Sequence, residues 1–351
     1  MLWADDFAAP IRHHQRNLTA PDGKKFTPRK IKLSGSMMLI TPRTIHLVAP
    51  SGYCHNPTAA ARGIARLRAA GHRVEDNGII ARRKQRFAGD DSQRLNDINA
   101  LSHMDTLPDI VLAVRGGYGA SRLLPDINYP ALRQRLHNAP LAICGHSDFT
   151  AIQLALLAKS GVQSFSGPML TGNFGAEVLS EFTVRHFWQA LTEPELKIKW
   201  QTTPQKLQIN GTLWGGNLAM IASLTGTPWM PDIQQGILVI EDVNEHPFRI
   251  ERMLLQLHQS GILARQRAII TGSFSGAALS AYDNGYDFAS VWNLIRDLTG
   301  IPVVTGLAFG HDADTVTLPI GAQGLLAVNE TSAELQISGH PVLPRLQEEL
   351  A

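Results

Sequence analysis

Cysteine is scarce in this chain: Cys54 and Cys144 are the only two among 351 residues. Two thiols at this spacing make neither a disulfide framework nor a zinc site. Cys144 lies in an apolar run, where a free cysteine behaves as a small hydrophobe. Long hydrophobic runs are also missing, and no uninterrupted apolar stretch approaches the length of a membrane span. The N-terminus, MLWADDFAAPIRHHQRN, lacks the apolar middle of a secretory signal. These absences together predict a cytoplasmic protein. Charge of one sign is lacking too. The formal net charge of +2 supports neither a nucleic-acid partner nor a membrane surface. The excess that exists is local: residues 1–40 hold seven Lys/Arg against three acids. That segment is polar, broken by Pro10, Pro21 and Pro28, and without sustained periodicity, so it is expected to be a disordered extension.

What remains is ordinary globular material, with 44% hydrophobic and 18% charged residues. The length suggests two domains. Residues 44–49 (TIHLVA), 72–74, 109–114 (DIVLAV) and 141–144 (LAIC) read as strands. Residues 59–70, 91–104 and 149–159 read as helices between them. Such alternation predicts an α/β fold, a mostly parallel sheet flanked by helices over 41–190. Residues 191–208 are polar, contain Pro194 and Pro204, and read as a linker or crossover. A second α/β domain with several short strands is expected over 209–351. Its strands include 236–240 (GILVI), 268–271 (AIIT), 302–305, 315–318, 324–328 and 334–337.

Ligands of parallel sheets bind beyond the carboxyl ends of the strands, which directs attention to the loops there. Gly145-His146-Ser147-Asp148 follows one strand and opens a helix. A serine at such a sharp turn exposes its hydroxyl above the sheet, beside free N–H groups of the helix start. Ser147 or Asp148 as a plain helix cap is the commoner use of these residues. His146 is an unsuitable base for Ser147, because neighbouring side chains in extended backbone point to opposite faces. Arg115-Gly-Gly-Tyr-Gly119 lets backbone approach a ligand closely and is an anion-binding nest or a flexible turn. It is neither a Walker nor a Rossmann loop. Glu241-Asp242 closes an apolar run, and a carboxylate there suits either a surface ion pair or the orientation of a histidine. His311 follows a glycine-flanked apolar segment. Pairing it with Asp312 or Asp314 as metal ligands finds no further ligand at a convincing spacing. Trp214-Gly-Gly-Asn217 and Thr227-Pro-Trp229 offer aromatic walls for a cleft, although core packing also accounts for a tryptophan.

Taken as a set, these residues resemble the LD-carboxypeptidase family of serine peptidases. The landmarks are Val48-Ala-Pro-Ser-Gly52, Ala113-Val-Arg-Gly-Gly-Tyr-Gly119, Gly145-His-Ser-Asp-Phe-Thr150, Gly211-Thr-Leu-Trp-Gly-Gly-Asn217, Glu241-Asp-Val-Asn-Glu245 with Arg249 and Arg252, and Gly310-His311. They run in the family's order from about residue 44 onward. The resemblance implies a flavodoxin- or amidotransferase-like N-terminal domain. It also implies a triad of Ser147 as nucleophile, His311 as base and Glu241 as its orienting partner. Backbone N–H groups of Gly117 and Asp148 would form the oxyanion hole. Candidate substrate contacts are Arg115, Gly116, Tyr118, Trp214 and Asn217, with the Arg115 guanidinium suited to a terminal carboxylate. The implied reaction removes the terminal D-alanine from the L-centre of diaminopimelate or lysine in a murein tetrapeptide, free or sugar-linked, during cytoplasmic cell-wall recycling. It implies no cofactor and no metal, and homodimers are common in the family. The resemblance admits a second substrate class, the aminoacyl-nucleotide conjugates cleaved by microcin-immunity enzymes. A non-catalytic binding module using the glycine loops is the reading from another class.

Overall fold

The computed structural model describes residues 29–33 and 36–344. Within the segment expected to be without order, β1 (Arg29–Leu33) and β2 (Ser36–Ile40) pair antiparallel, with only Ser34 and Gly35 between them. The remainder of that expectation, residues 1–28, lies outside the described residues.

The first large sheet begins with β3 (Thr44–Val48), whose run of apolar residues is almost wholly buried. Next comes α1 (Pro57–Ala69), which starts where the Asn56 side chain accepts from Ala59 N–H and Pro57 takes a first-turn position that needs no donor. β4 (Arg73–Glu75), α2 (Asp91–Asn99), β5 (Ile110–Ala113), α3 (Tyr129–Leu136), β6 (Ala142–Gly145), α4 (Thr150–Ser160), β7 (Ser164–Ser166) and α5 (Glu181–Thr192) then alternate. Asp90 and Gln93 cap α2 reciprocally, and Gly161, at φ 65°, ends α4. Strands β3 to β7 are parallel in the order β7-β6-β5-β3-β4. That is the flavodoxin-like order, whose switch point falls between β3 and β5. The loops after these two strands, 49–53 and 114–119, therefore flank a ready-made crevice.

The expected linker at 191–208 is occupied otherwise. After α5, residues 195–217 form one strand, β8 (Glu195–Asn217). Leu196 and Ile198 alternate with exposed residues, so one face of a polar-looking segment packs inward. α6 (Leu218–Ser223), β9 (Gly236–Val243), α7 (Pro247–Gln259), β10 (Gln266–Ser275), α8 (Phe288–Thr299) and β11 (Val303–Val304) build a second sheet. It has the order β11-β10-β9-β8, all parallel. Two assignments over 209–351 change. β12 (Leu318–Ile320) leaves the second part and pairs antiparallel with β7 at the edge of the first sheet. The two short strands expected at 324–328 and 334–337 are one long strand, β13 (Gln323–Ser338), hairpinned on β8. A register shift at Glu330, whose φ is 55°, lets the strand run on through polar residues.

Candidate active site

Ser147 follows directly on His146 at the end of β6, where a short 3₁₀ turn (Ser147–Phe149) leads into α4. Its φ is 62°, a left-handed conformation that costs a serine on the order of 1–2 kcal/mol. Neighbours hold it there. Gly145 leaves room for Phe149 and Ala113, since a Cβ on it would lie 2.6 Å from the Phe149 ring. Gly116 leaves room for the serine itself, because a Cβ there would sit 2.8 Å from Ser147 Cβ and 2.9 Å from Oγ. The Asp148 carboxylate is buried and accepts from Ala120 N–H at 2.9 Å, tying this turn to the loop after β5. Burial raises the Asp148 pKa; the nearby Ser51 hydroxyl, the hydrogen bond from Ala120 N–H and the charges of Arg94 and Arg86 oppose the rise.

The opposite wall comes from the second sheet. Asn217 and Glu241 are register partners at the ends of β8 and β9. Glu241 is 1% exposed, and its Oε2 accepts from His311 Nδ1 at 2.7 Å. With that proton on Nδ1, Nε2 of a neutral His311 is left as an acceptor. Burial lowers the His311 pKa, but the hydrogen bond and charge of Glu241, with the charges of Asp242 and Asp312, outweigh it and raise the value. Gly310 has φ 140°, and a Cβ on it would come within 3.0 Å of Glu241 Oε2. The glycine before His311 therefore serves the close approach of this carboxylate. Asp242 is buried beside Glu241, and its pKa is pushed up to about 6, by burial first, with Glu241 adding to it.

The two walls meet. The His146 ring lies edge to face with His311, centroids 4.9 Å apart. Thr150 Oγ1, at the start of α4, accepts from Asn217 N–H at 3.2 Å. Ser147 is thus the chain neighbour of a residue in contact with His311, and no hydrogen bond joins Ser147 to His311 among the described residues.

Other expected site residues divide. Asn217 is buried, and its amide donates to Asp242 at 2.9 Å and Glu241 at 3.3 Å, while its Oδ1 caps α6 by accepting from Met220 N–H. It touches the carboxylates of the site and was expected on the substrate. Trp214 is fully buried and donates to Gln266 Oε1 at 2.8 Å, so it belongs to the core and not to a cleft wall. Gly117, at φ 110°, and Tyr118 are exposed on the crevice loop. The N–H groups of Gly117 and Asp148 donate to no protein acceptor among the described residues. Arg115 is half-buried and donates to Tyr53 carbonyl at 3.2 Å. Thr150 and the basic loop 82–86 drew no role of their own from the sequence, and Asp242 was read only as half of a strand-end pair with Glu241. The basic loop carried a visible signal, its run of four cations in five residues. Among the described residues no three His, Cys, Asp or Glu side chains group to hold an ion. Asp312 instead accepts from Ser273 Oγ, and Asp314 from Ser180 Oγ.

A strained serine at a strand-to-helix turn, together with a histidine bonded to a buried carboxylate, is the residue set of a serine peptidase. Residues 45–167 match the LD-carboxypeptidase N-terminal domain and residues 210–326 the LD-carboxypeptidase C-terminal domain. A solved muramoyltetrapeptide carboxypeptidase from Oxalobacter formigenes is 43% identical, with a TM-score of 0.78 over 85% of this chain and 100% of that one. A Synechocystis sp. protein assigned as a carboxypeptidase is 35% identical over 80% of this chain and 90% of its own. The microcin C7 self-immunity protein MccF of Escherichia coli is 26% identical over 79% of this chain and 87% of its own. The chain belongs to the LD-carboxypeptidase family and is a carboxypeptidase. Among the described residues no helix is long and apolar enough to cross a membrane.

Proposed function

We propose that this carboxypeptidase releases the terminal D-alanine from murein tetrapeptides, cleaving after the L-centre of diaminopimelate or lysine, in the recycling of cell-wall peptides in the cytoplasm. The observation that carries the reading is the 2.7 Å contact of His311 Nδ1 with buried Glu241; the left-handed Ser147 supports it. The 43% identical muramoyltetrapeptide carboxypeptidase supports the substrate.

In this reading Ser147 Oγ attacks the carbonyl carbon of the scissile amide while its proton passes to His311 Nε2. Glu241 holds the imidazole in the tautomer that leaves Nε2 open and stabilises the imidazolium that forms. The negative charge gathering on the carbonyl oxygen meets the free N–H groups of Gly117 and Asp148. His311 then gives its proton to the leaving nitrogen, the C–N bond breaks, and D-alanine departs. Water repeats the sequence on the acyl-enzyme with His311 again as base. Asn217 is a positioning residue that holds the Glu241 carboxylate. No cofactor enters. The working form is a homodimer.

The test is purified protein on a defined diaminopimelate-containing tetrapeptide, with mass-spectrometric detection of tripeptide and D-alanine, beside Ser147→Ala. Full release by Ser147→Ala overturns the serine mechanism. The relationship to MccF favours one alternative, cleavage of aminoacyl- or peptidyl-nucleotide conjugates. The same enzyme on such a conjugate, compared by kcat/KM, decides between the two.

A further inference from the structure

A cationic wall stands by the crevice loops, without acidic partners among the described residues. The loop between β4 and α2 turns tightly at 84–87: Lys84 and Phe87 exchange backbone hydrogen bonds at 3.0 Å, and Gln85 takes φ 54°. The turn is fastened to the crevice. Tyr53 N–H donates to Arg86 carbonyl at 3.1 Å, Ala88 N–H donates to Ser51 carbonyl at 3.1 Å, and Gly52 N–H donates to Gly116 carbonyl at 3.2 Å. Arg83, Lys84 and Arg86 are exposed there.

Aromatic faces hold two of these cations. The Arg83 guanidinium lies 4.3 Å from the Tyr53 ring centre, and that of Arg86 lies 5.6 Å from the Tyr118 ring centre. Stacking of this kind orients a guanidinium and leaves its edge N–H donors open. The Arg115 guanidinium lies against Gly52 and Gly117, and among the described residues it donates to Tyr53 carbonyl. Its pKa is lowered, by burial first and also by the charge of Arg86. Neighbouring arginines are neutralised: Arg82 by Asp97, and Arg94 and Arg122 by Asp91. Among the described residues Arg83, Lys84, Arg86 and Arg115 have no carboxylate within ion-pair distance. The charge of Arg86 also acts on Asp148, which is buried and already bonded to Ala120.

Like charges gathered without counter-ions oppose folding, and a fold that fixes them on aromatic supports presents them to an anion from outside. We infer that Arg83, Arg86 and Arg115, with Tyr53 and Tyr118, form a binding wall for anionic oxygen groups of the substrate that lie away from the scissile bond. This rests on the peptidase reading above and extends it to a substrate class: peptides bearing several negative charges. The groups are either carboxylates of the peptide itself or phosphates of a nucleotide-linked form, since a guanidinium edge pairs with both.

The experiment uses the full chain with Ser147→Ala, alone and with Arg83→Gln and Arg86→Gln together. Calorimetry measures three probes: the tetrapeptide, the same peptide with its side-chain carboxylates amidated, and uridine diphosphate. Binding does not require turnover, so it reads the wall even if D-alanine release fails, which is scored separately with the intact serine. A carboxylate ligand predicts that amidation weakens binding at least roughly tenfold with the arginines present and has little effect without them. A phosphate ligand predicts that uridine diphosphate binds and competes only when the arginines are present. In active enzyme the double glutamine variant should raise KM roughly tenfold and leave kcat within about twofold. Arg83→Lys with Arg86→Lys, which keeps the charge, should recover part of the affinity. Equal affinities with and without the arginines for all three probes overturn the inference. So does a loss confined to kcat.

Discussion

The rings of His146 and His311 meet edge to face with centroids 4.9 Å apart, yet their pKa values move in opposite directions. Burial brings His146 down to about 4, and the charge of His311 pushes the same way. His146 Nδ1 must carry the proton, because it donates to Gly167 carbonyl at 2.9 Å. His311 is raised by Glu241 against its own burial. A base must be unprotonated to work, so kcat/KM for D-alanine release should rise with pH through a value above the ordinary histidine range. Glu241→Gln removes the charge that raises His311. The acid limb should then shift to lower pH while the maximum falls by ~100-fold or more. A limb that stays in place in the pH profile would exclude Glu241 as the partner of the base.

Acid should loosen the fold through buried histidines. His146 and His72 both titrate at about 4 in the folded chain, lowered chiefly by burial from 6.5. A depressed histidine pKa means the unfolded chain binds more protons. Stability from these groups is therefore fully present above pH 6.5 and is lost as pH falls from 6.5 towards 4. Each shift corresponds to at most ~3 kcal/mol. The urea midpoint should fall steadily across that window. His72→Asn, which keeps an acceptor for the Arg43 N–H that His72 Nδ1 now satisfies, should flatten part of the slope.

Gly116→Ala should damage catalysis more than folding. Its added Cβ would lie 2.8 Å from Ser147 Cβ and 2.9 Å from Oγ, so the nucleophile or the crevice loop must shift. A displacement approaching about 1 Å at the reacting atom would cost ~100-fold in kcat/KM, so a smaller shift should still cost roughly tenfold. Overpacking of this size costs about 1–3 kcal/mol, and melting should fall by only a few degrees.

The strain at Ser147 is measurable. Ser147→Gly and Ser147→Ala should both abolish release, but glycine adopts φ 62° without a Cβ penalty. The glycine variant should be the more stable of the two by roughly 0.5–1 kcal/mol in denaturant unfolding. Equal stabilities would mean the turn relaxes when the hydroxyl is removed.

Much of this site was legible in the chain because strand ends announce themselves. Apolar runs stop at Gly145, Glu241 and Arg115, and near those stops Glu241 bonds His311 and Gly116 packs on Ser147. Trp214 was misread because an aromatic beside Gly215 and Gly216 carries the same signal whether it walls a cleft or fills a core. Residues 191–208 looked like a linker because half of a one-sided strand is polar and Pro204 breaks the pattern. In the structure Thr202, Thr203 and Pro204 fall in the gap of the β8–β13 register, where no ladder bond is lost. The contacts of His146 with His311 and of Thr150 with Asn217 join residues far apart in the chain, and no local pattern encodes them. The basic run at 82–86 was visible, but only the fold sets it over the crevice.

The return of β12 to the first sheet has a consequence for the timing of synthesis. His311 is strung between Phe309, whose carbonyl accepts from Ser273 N–H in the second sheet, and Leu318, which pairs with Ser166 in the first. A growing polypeptide that has made its serine and its glutamate still lacks the piece that clips the halves together. If His311 is the base proposed above, a ribosome that stops before β12 should release an inert product, and peptide cutting should begin only once that stretch has emerged.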